Sequence, residues 1–261
     1  MNINDYYMAE HEKPLDRIVP DGGFCGIFRR ICCIGDSLSS GEFEIVDDDG
    51  KHSYYDIYEQ SWGQYISRMT GAEVYNFSRG GMTAKEYCES FADTNGFWSY
   101  RKSAQAYIIA LGVNDLFGLN ESIGLIEDIN FSDYTCNKDT FAGWYGMILS
   151  RVREISPDSI LFLMTMPREE TDSTECTEKK KAHAKLLHEL ADVIENTYVI
   201  DLYQYAPVYD KKFKDNFYCS GHMNAMGYFL TAKMVASYID FIIRNNPEDF
   251  RKAGLIGTGI L

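Results

Sequence analysis

The chain has 261 residues, enough for one α/β domain with a single large core, so no second domain is required. Its formal net charge is −14, from 39 acidic and 25 basic residues. Such an excess of negative charge argues against nucleic acid or an anionic membrane surface as the main partner. A small neutral or cationic substrate is easier to accommodate.

Targeting features favour a cytoplasmic protein. The first ten residues are acidic and lack the apolar core of a secretory signal. The longest apolar segment, 228–243, is interrupted by Lys233 and Asp240, so we expect it not to span a bilayer. The seven cysteines have no regular spacing, and an odd count without a leader indicates reduced thiols.

The apolar pattern predicts alternating strands and helices over one domain, 1–261. Five apolar runs have the character of buried strands: 28–34, 73–77, 105–111, 159–166 and 197–202. Apolar residues at three- and four-residue spacing predict these helices: 56–70, 141–155, 174–196 and 224–244. This alternation implies βαβ units, a five-stranded mainly parallel sheet and a three-layer α/β/α sandwich.

Three other segments complete the predicted layout. Residues 1–27 look like an arm that packs irregularly on the domain, and 245–261 form an apolar tail suited to docking. Between 41 and 56 an acidic stretch contains the turn signal Asp49-Gly50. We interpret it as an excursion near the active face, in the form of a hairpin.

A serine stands at the first strand-to-helix junction, in Gly35-Asp36-Ser37. Glycine permits a sharp turn there, and Asp or Ser can cap the following helix. The plain interpretation is a helix-capping turn. The alternative is a nucleophile whose Oγ is exposed at the carboxyl end of the sheet, where α/β folds place their sites.

Acyl transfer also needs a base and donors for the oxyanion. His222, just before the last helix, is the best-placed base, although it could be only a helix-entry residue. The other four histidines lie in the arm, in the acidic excursion or on different faces of one helix: His11, His52, His183 and His188. Asn114 follows the third strand and offers a side-chain donor, and Gly80-Gly81 offers backbone donors; each could also be a simple turn residue.

Four blocks together resemble the SGNH (GDSL-type) hydrolases over about 31–228. They are Gly35-Asp-Ser-Leu38, a glycine after the second strand, Gly112-Val-Asn-Asp115, and His222 with Asn two residues later. The resemblance implies a three-layer α/β/α fold and ester hydrolysis through a serine acyl-enzyme, without metal or organic cofactor.

Carried over by position, the resemblance assigns Ser37 as nucleophile and His222 as base. The N–H groups of Ser37 and Gly81 and the side chain of Asn114 would form the oxyanion hole. Gly81 is preferred to Gly80 because it stands five residues after Asn76, as in the family's block.

The chain departs from the family three residues before the histidine, where Cys219 replaces the usual Asp. A thiol is mostly uncharged near neutral pH and is a poor substitute for a carboxylate. The favoured interpretation is that a backbone carbonyl orients the imidazole; Asp215 or Asp201 are the other candidates. A catalytically impaired binding protein on the same fold is the rival hypothesis.

Metal and nucleotide sites are not predicted. Cys219-x-x-His222 lacks the further ligands that zinc requires, and 35–41 matches neither a dinucleotide fingerprint nor a P-loop. Core packing is the default account for the aromatic residues ahead of His222. Those in polar loops suggest a small acyl ester, such as acetyl, on a carbohydrate-like alcohol. The aromatic residues ahead of His222 are Tyr203, Tyr205, Tyr209, Phe213, Phe217 and Tyr218.

Overall fold

A five-stranded parallel sheet organises the chain in the computed structural model, which describes residues 3–260. The seven strands of the fold are β1 (Arg30–Gly35), β2 (Glu42–Val46), β3 (His52–Asp56), β4 (Glu73–Ser78), β5 (Ala106–Ala110), β6 (Ile160–Met164) and β7 (Thr197–Ile200). The main sheet has the order β4-β1-β5-β6-β7, and all its neighbours are parallel. Strands β2 and β3 form a separate antiparallel hairpin. The predicted sheet and the predicted hairpin are both confirmed.

Nine α-helical segments lie within residues 3–260. They are α1 (Ser37–Ser40), α2 (Trp62–Thr70), α3 (Ala84–Glu86), α4 (Ala92–Thr94), α5 (Phe141–Ile155), α6 (Thr174–Val193), α7 (Leu202–Tyr205), α8 (Lys211–Phe217) and α9 (Ala225–Asn245). A π-helical segment, Tyr87–Phe91, joins α3 to α4. The four long predicted helices are present, but α2 begins later than the predicted 56. Pairing of Asp56 with Glu42 extends β3 to that residue, and Ser61 caps α2 by accepting from the N–H of Gln64.

Alternate residues of the central strand β1 face two separate apolar clusters. Ile31 and Cys33 pack in the cluster that contains residues of α2 and α9. Cys32 and Ile34 pack in the cluster that contains residues of α5 and α6. This alternation puts helices on both faces of the sheet, as the three-layer prediction requires.

Helix α9 has the length and apolar composition that a membrane span would need, although it contains Lys233 and Asp240. However, 72% of its most apolar stretch is buried inside the fold. Asp240 is also buried there, where it accepts a hydrogen bond of 2.7 Å from Nε of Arg244. The helix is therefore a core element of this structure.

Both termini pack on the domain. In the arm, the N–H of Val19 donates to Oγ of Ser237 in α9. In the tail, the side chain of Gln105 donates to the carbonyl of Ala253 at 2.7 Å, and Ile256 is buried. The predicted arm and tail thus dock on the domain, except that residues 1, 2 and 261 lie outside the described part.

The register of the sheet brings three chain segments to one edge. Gly35, the last residue of β1, pairs with Ser78 of β4 and with Ala110 of β5. Because these strands are parallel, the residues that follow them emerge side by side. Those residues include Ser37, the Gly80-Gly81 turn and Asn114.

Candidate active site

The turn that carries Ser37 is shaped by close contacts. A Cβ at Gly35 would lie 2.2 Å from Oγ of Ser39 and 2.9 Å from the carbonyl of Ala110, so only glycine fits. The Asp36 carboxylate caps α1 by accepting a hydrogen bond of 3.0 Å from the N–H of Leu38. Ser37 is therefore held, half-buried, as the first residue of a short helix above the sheet edge.

Two of the predicted oxyanion donors, Gly81 and Asn114, lie next to each other. Gly81 has φ +72°, and a Cβ built on it would meet no atom within 4 Å, so the space beside it is open. The Asn114 amide donates to the carbonyl of Met82 at 3.0 Å, which holds that side chain against the turn containing Gly81. Gly81 and Asn114 line one cavity of about 400 Å³.

Ser37, Asn114 and His222 line a single cleft of about 480 Å³. One part of its wall is apolar: Leu38, Val113, Phe117, Met166 and Pro167. Another part carries paired charges: Glu169, Asp172, Lys180 and Lys214. The cleft thus joins an apolar side to a polar side around the predicted nucleophile.

A tight turn presents His222 to this cleft. The N–H of Cys219 donates to the carbonyl of His222 at 2.9 Å, and Tyr218 pairs with Met223 in an antiparallel bridge. Asn224 then caps α9 by accepting from the N–H of Gly227 at 3.0 Å. The imidazole is half-buried.

Two carboxylates of the hairpin hold the imidazole of His222. Glu42 and Glu44 are two residues apart on β2, so their side chains point to the same face. Oε2 of Glu44 lies 3.3 Å from Nδ1 of His222 and accepts the N–H of Gly221 at 2.5 Å. Oε1 of Glu42 lies 3.1 Å from Nε2 of the same ring.

Glu44 is the better-supported of the two carboxylates. It is 5% exposed, and its Oε1 contacts Nδ1 of His52 at 2.5 Å and the hydroxyl of Tyr54 at 3.2 Å. Burial raises the pKa of Glu44, but hydrogen bonds from His52, His222, Gly221 and Tyr54 outweigh it and lower the pKa to about 2. Glu44 is therefore ionised at neutral pH.

Glu42 differs because its pKa is raised. Burial is the largest cause, and the neighbouring carboxylates of Asp56 and Glu44 add to it, while His222 acts in the opposite direction. A Cβ at Gly80 would lie 2.0 Å from Oε2 of Glu42, so this carboxylate also reaches the turn before Gly81.

The expectation that a backbone carbonyl orients His222 is wrong, because Nδ1 faces the Glu44 carboxylate. The two alternative acids are engaged elsewhere: Asp215 pairs with Lys211 at 2.6 Å, and Asp201 pairs with His188 at 2.9 Å. Glu44 could not be found from the residues around Cys219, because it lies on a strand 178 residues from His222 in the chain. The available signal was the alternation of acidic and apolar residues in 42–46, directly after the nucleophile helix.

The aromatic residues ahead of His222 belong mostly to the core. Tyr209 and Phe213 are buried and stack at 3.9 Å between ring centroids, whereas Tyr218 lines the cleft. A different aromatic residue, Tyr54 of the hairpin, lies edge-on to the His222 ring at 5.7 Å and is 53% exposed. The aromatic surface beside the site is therefore carried by the hairpin as well as by the loop.

Fold and cleft together define a three-layer α/β/α protein whose candidate site lies at the carboxyl edge of the parallel sheet. The chain belongs to the GDSL-like Lipase/Acylhydrolase family, whose profile matches residues 33–230. No curated protein matches the sequence.

Solved structures share the fold at low identity. A family two carbohydrate esterase from Clostridium thermocellum, in complex with cellohexaose, is 16% identical with a TM-score of 0.58, over 92% of this chain and 67% of that one. A carbohydrate esterase family 2 enzyme with a carbohydrate binding domain, from Corynascus thermopiles (Myceliophthora fergusii), is 14% identical with a TM-score of 0.57. The match covers 82% of this chain and 66% of that one. A possible lipase from Chitinophaga pinensis DSM 2588 is 14% identical with a TM-score of 0.57, and the match covers 84% of this chain and 98% of that one. At these identities the likeness concerns the fold.

Proposed function

We propose that the protein is a serine esterase that cleaves a small acyl ester, of the acetyl type, from a carbohydrate-like alcohol. The observation that carries this proposal is that Ser37, Asn114 and His222 line one cleft at the carboxyl edge of the sheet. Membership of an acylhydrolase family supports the same reaction class.

In the proposed reaction, Oγ of Ser37 attacks the ester carbonyl while Nε2 of His222 accepts the hydroxyl proton. The N–H groups of Ser37 and Gly81 and the amide of Asn114 stabilise the oxyanion. The tetrahedral intermediate then collapses, and the alcohol leaves with the proton from His222. A water molecule, deprotonated by His222, attacks the acyl-Ser37 ester, and the acid is released as His222 returns the proton to Oγ of Ser37.

The contact between Nε2 of His222 and Glu42 sets a requirement on this reaction. Nε2 must be free of a proton to accept one from Ser37. The mechanism therefore needs Nε2 to exchange Glu42 for Ser37 when the substrate binds. The imidazole keeps its other contact, through Nδ1, during this exchange.

The cleft supports the proposed substrate. Apolar side chains such as Val113 and Met166 suit a short acyl group, whereas the ion pairs of Lys180 and Lys214 offer partners to hydroxyl groups. The exposed ring of Tyr54 beside His222 suits the flat face of a sugar. Two of the structures that share the fold are described as carbohydrate esterases.

The decisive experiment compares the wild type with Ser37→Ala on an aryl acetate and on acetylated oligosaccharides. We expect the variant to lose at least about 10³-fold in kcat, and mass spectrometry of the quenched wild type to find the acyl group on Ser37. Equal rates for the two proteins would favour the rival binding protein. A strong preference for long-chain esters would overturn the small-acyl assignment.

A further inference from the structure

The hairpin carboxylate Glu44 contacts the same ring nitrogen of His222 that an orienting acid must contact. Its Oε2 lies 3.3 Å from Nδ1, so Nε2, which contacts Glu42 at 3.1 Å, is the nitrogen that must turn to Ser37 in the proposed reaction. In a serine, histidine and acid arrangement, the acid binds Nδ1–H, fixes the ring orientation and stabilises the imidazolium. Glu44 therefore has the contact that Cys219, an exposed thiol, cannot supply.

Glu44 is built into a rigid setting. Its carboxylate is shared among four partners from two chain segments, β3 and the turn before α9: His52, Tyr54, Gly221 and His222. The N–H of Gly221 binds the same oxygen as the ring of His222, so one oxygen positions both the backbone and the side chain of the histidine turn. If Glu44 served only to attach the hairpin to the domain, a contact with the imidazole would not be needed.

Packing holds the hairpin over the site. Phe43 contacts Tyr228 of α9 at 5.7 Å between ring centroids, and the Tyr228 hydroxyl donates to the carbonyl of Glu42 at 2.5 Å. On the other side, Gly41 ends α1 with φ +87°, a conformation that favours glycine, and directs the chain straight into β2. The strand that carries Glu44 thus starts five residues after Ser37 and is anchored to the helix that follows His222.

We infer that Glu44 is the positioning acid of the active site, supplied by the β2–β3 hairpin in place of the residue at 219. This inference rests on the proposed Ser37–His222 esterase. It supplies the orienting acid that Cys219 lacks, and the lack of that acid was the basis of the rival hypothesis of a catalytically impaired binding protein.

The first test is Glu44→Gln, which keeps the size of the side chain and removes its charge. We expect kcat to fall by about 10²- to 10⁴-fold while KM changes little, since the group acts on the base and not on the substrate. Asp48→Asn removes a carboxylate from the exposed tip of the same hairpin and is the matched control, with wild-type kcat expected. Thermal unfolding of both variants checks that the fold is kept.

The pH dependence separates positioning from a structural role. A carboxylate beside an imidazole favours its protonated form, so Glu44→Gln should move the acid limb of the kcat/KM profile to lower pH as the plateau falls. The other titratable or charged groups around the ring remain in the variant: Glu42 from β2, His52 and Tyr54 from β3, and, from the cleft, Glu169, Asp172, Cys176, Lys180 and Lys214. A profile that falls in height without moving would contradict the inference.

Cys219 provides the complementary test, and the arm of it in the wild type does not require Glu44→Gln to fold. Cys219→Asp in the wild type should give no gain in kcat, because the role is already filled. In the Glu44→Gln background, the same change should raise kcat at least about tenfold above that of Glu44→Gln alone. The reason is that a carboxylate returns at the position the resemblance indicates. A tenfold gain in the wild type would overturn the inference.

The Ser37→Ala variant separates a failure of the inference about Glu44 from a failure of the proposed esterase function. If Ser37→Ala abolishes activity but Glu44→Gln keeps wild-type kcat and pH profile, the esterase stands and Glu44 is not its positioning acid. If Ser37→Ala has wild-type activity, the esterase itself fails.

Discussion

Nδ1 of His222 lies 3.3 Å from Oε2 of Glu44, although 178 residues separate the two in the chain. The contact joins the start of α9 to a hairpin that directly follows α1, the helix that carries Ser37. Its partner contact, between Nε2 and Glu42, puts a second carboxylate on the opposite side of the ring. The imidazole therefore lies between two acids with different roles in the proposed reaction.

In the proposed reaction, Glu42 competes with Ser37 for Nε2 of His222, so its removal should help catalysis at mildly acidic pH. We expect Glu42→Gln to raise kcat/KM near pH 6 by up to about fivefold, equivalent to about 1 kcal/mol for a partly exposed ion pair. The physical reason is that the carboxylate stabilises the protonated ring, in which Nε2 cannot accept a proton. A pH–rate profile checks this, and a fall in kcat/KM at pH 6 would show instead that Glu42 assists the reaction.

Gly221 leaves no room for a side chain beside Glu44. A Cβ there would lie 2.5 Å from Oε2 of Glu44, so Gly221→Ala should displace that carboxylate from Nδ1 of His222. We expect kcat to fall by at least about tenfold, since misplacement of about 1 Å can cost more than that. Gly254→Ala adds the same methyl group where no atom lies within 4 Å, and it should leave kcat unchanged. Steady-state kinetics of the two variants provide the comparison, and equal kcat values would argue against the predicted displacement.

Tyr54 and Tyr55 test the sugar-binding role of the hairpin. The two rings are similarly exposed, at 53% and 51%, but neighbouring residues of a strand point to opposite faces, and Tyr54 is the one that contacts His222. We expect Tyr54→Ala to raise KM for an acetylated oligosaccharide by about three- to tenfold, and Tyr55→Ala to leave it unchanged. Tyr54→Phe, which loses only the hydroxyl bound to Glu44, should retain most of the affinity. Equal KM values for the two alanine variants would remove Tyr54 from the substrate site.

Asp115 predicts a pH dependence of stability. Burial raises its pKa to about 7, although the hydrogen bond from the N–H of Ala84 acts to lower it. The unfolded chain releases this proton near pH 4, so between about pH 4 and 7 the folded state binds more protons and loses stability as the pH rises. The slope for one such group is at most about 1.4 kcal/mol per pH unit.

Asp115→Asn keeps an oxygen for the N–H of Ala84 and removes the titration. Its free energy of unfolding should therefore fall less steeply than that of the wild type between pH 5 and 7. Asp36 is also buried, with a pKa raised to about 7, and it titrates in both proteins; because the Asp115 carboxylate adds to that raised pKa, its loss should flatten the slope further. Urea unfolding at several pH values measures the two slopes, and parallel curves would contradict the assignment.

Much of the architecture could be predicted from local patterns. Buried strands such as β1 and β5 are short apolar runs, and helices such as α5 repeat apolar residues every three or four positions. Each of these patterns involves residues only a few positions apart, so it can be recognised without knowledge of the tertiary fold. The strand ends then indicated that Ser37 and Asn114 would meet at one edge, because parallel strands end at the same side of a sheet.

Boundaries were less predictable where long-range pairing decides them. The predicted helix over 56–70 begins at Trp62, because Asp56 pairs with Glu42 across the hairpin. The aromatic residues before His222 mostly pack in the core, since α7 and α8 form there and bury Tyr209 and Phe213.

The amino-acid order alone was sufficient for the parallel sheet, the hairpin and the family-type placement of Ser37 and His222, because these depend on short-range periodicity and motif spacing. The partner of the imidazole was settled only by the folded chain. Glu42 and Glu44 share a face by strand geometry, but the packing of Phe43 on Tyr228 brings that face over His222. A contact across 178 residues depends on how distant elements pack, and no local pattern near Cys219 encodes it.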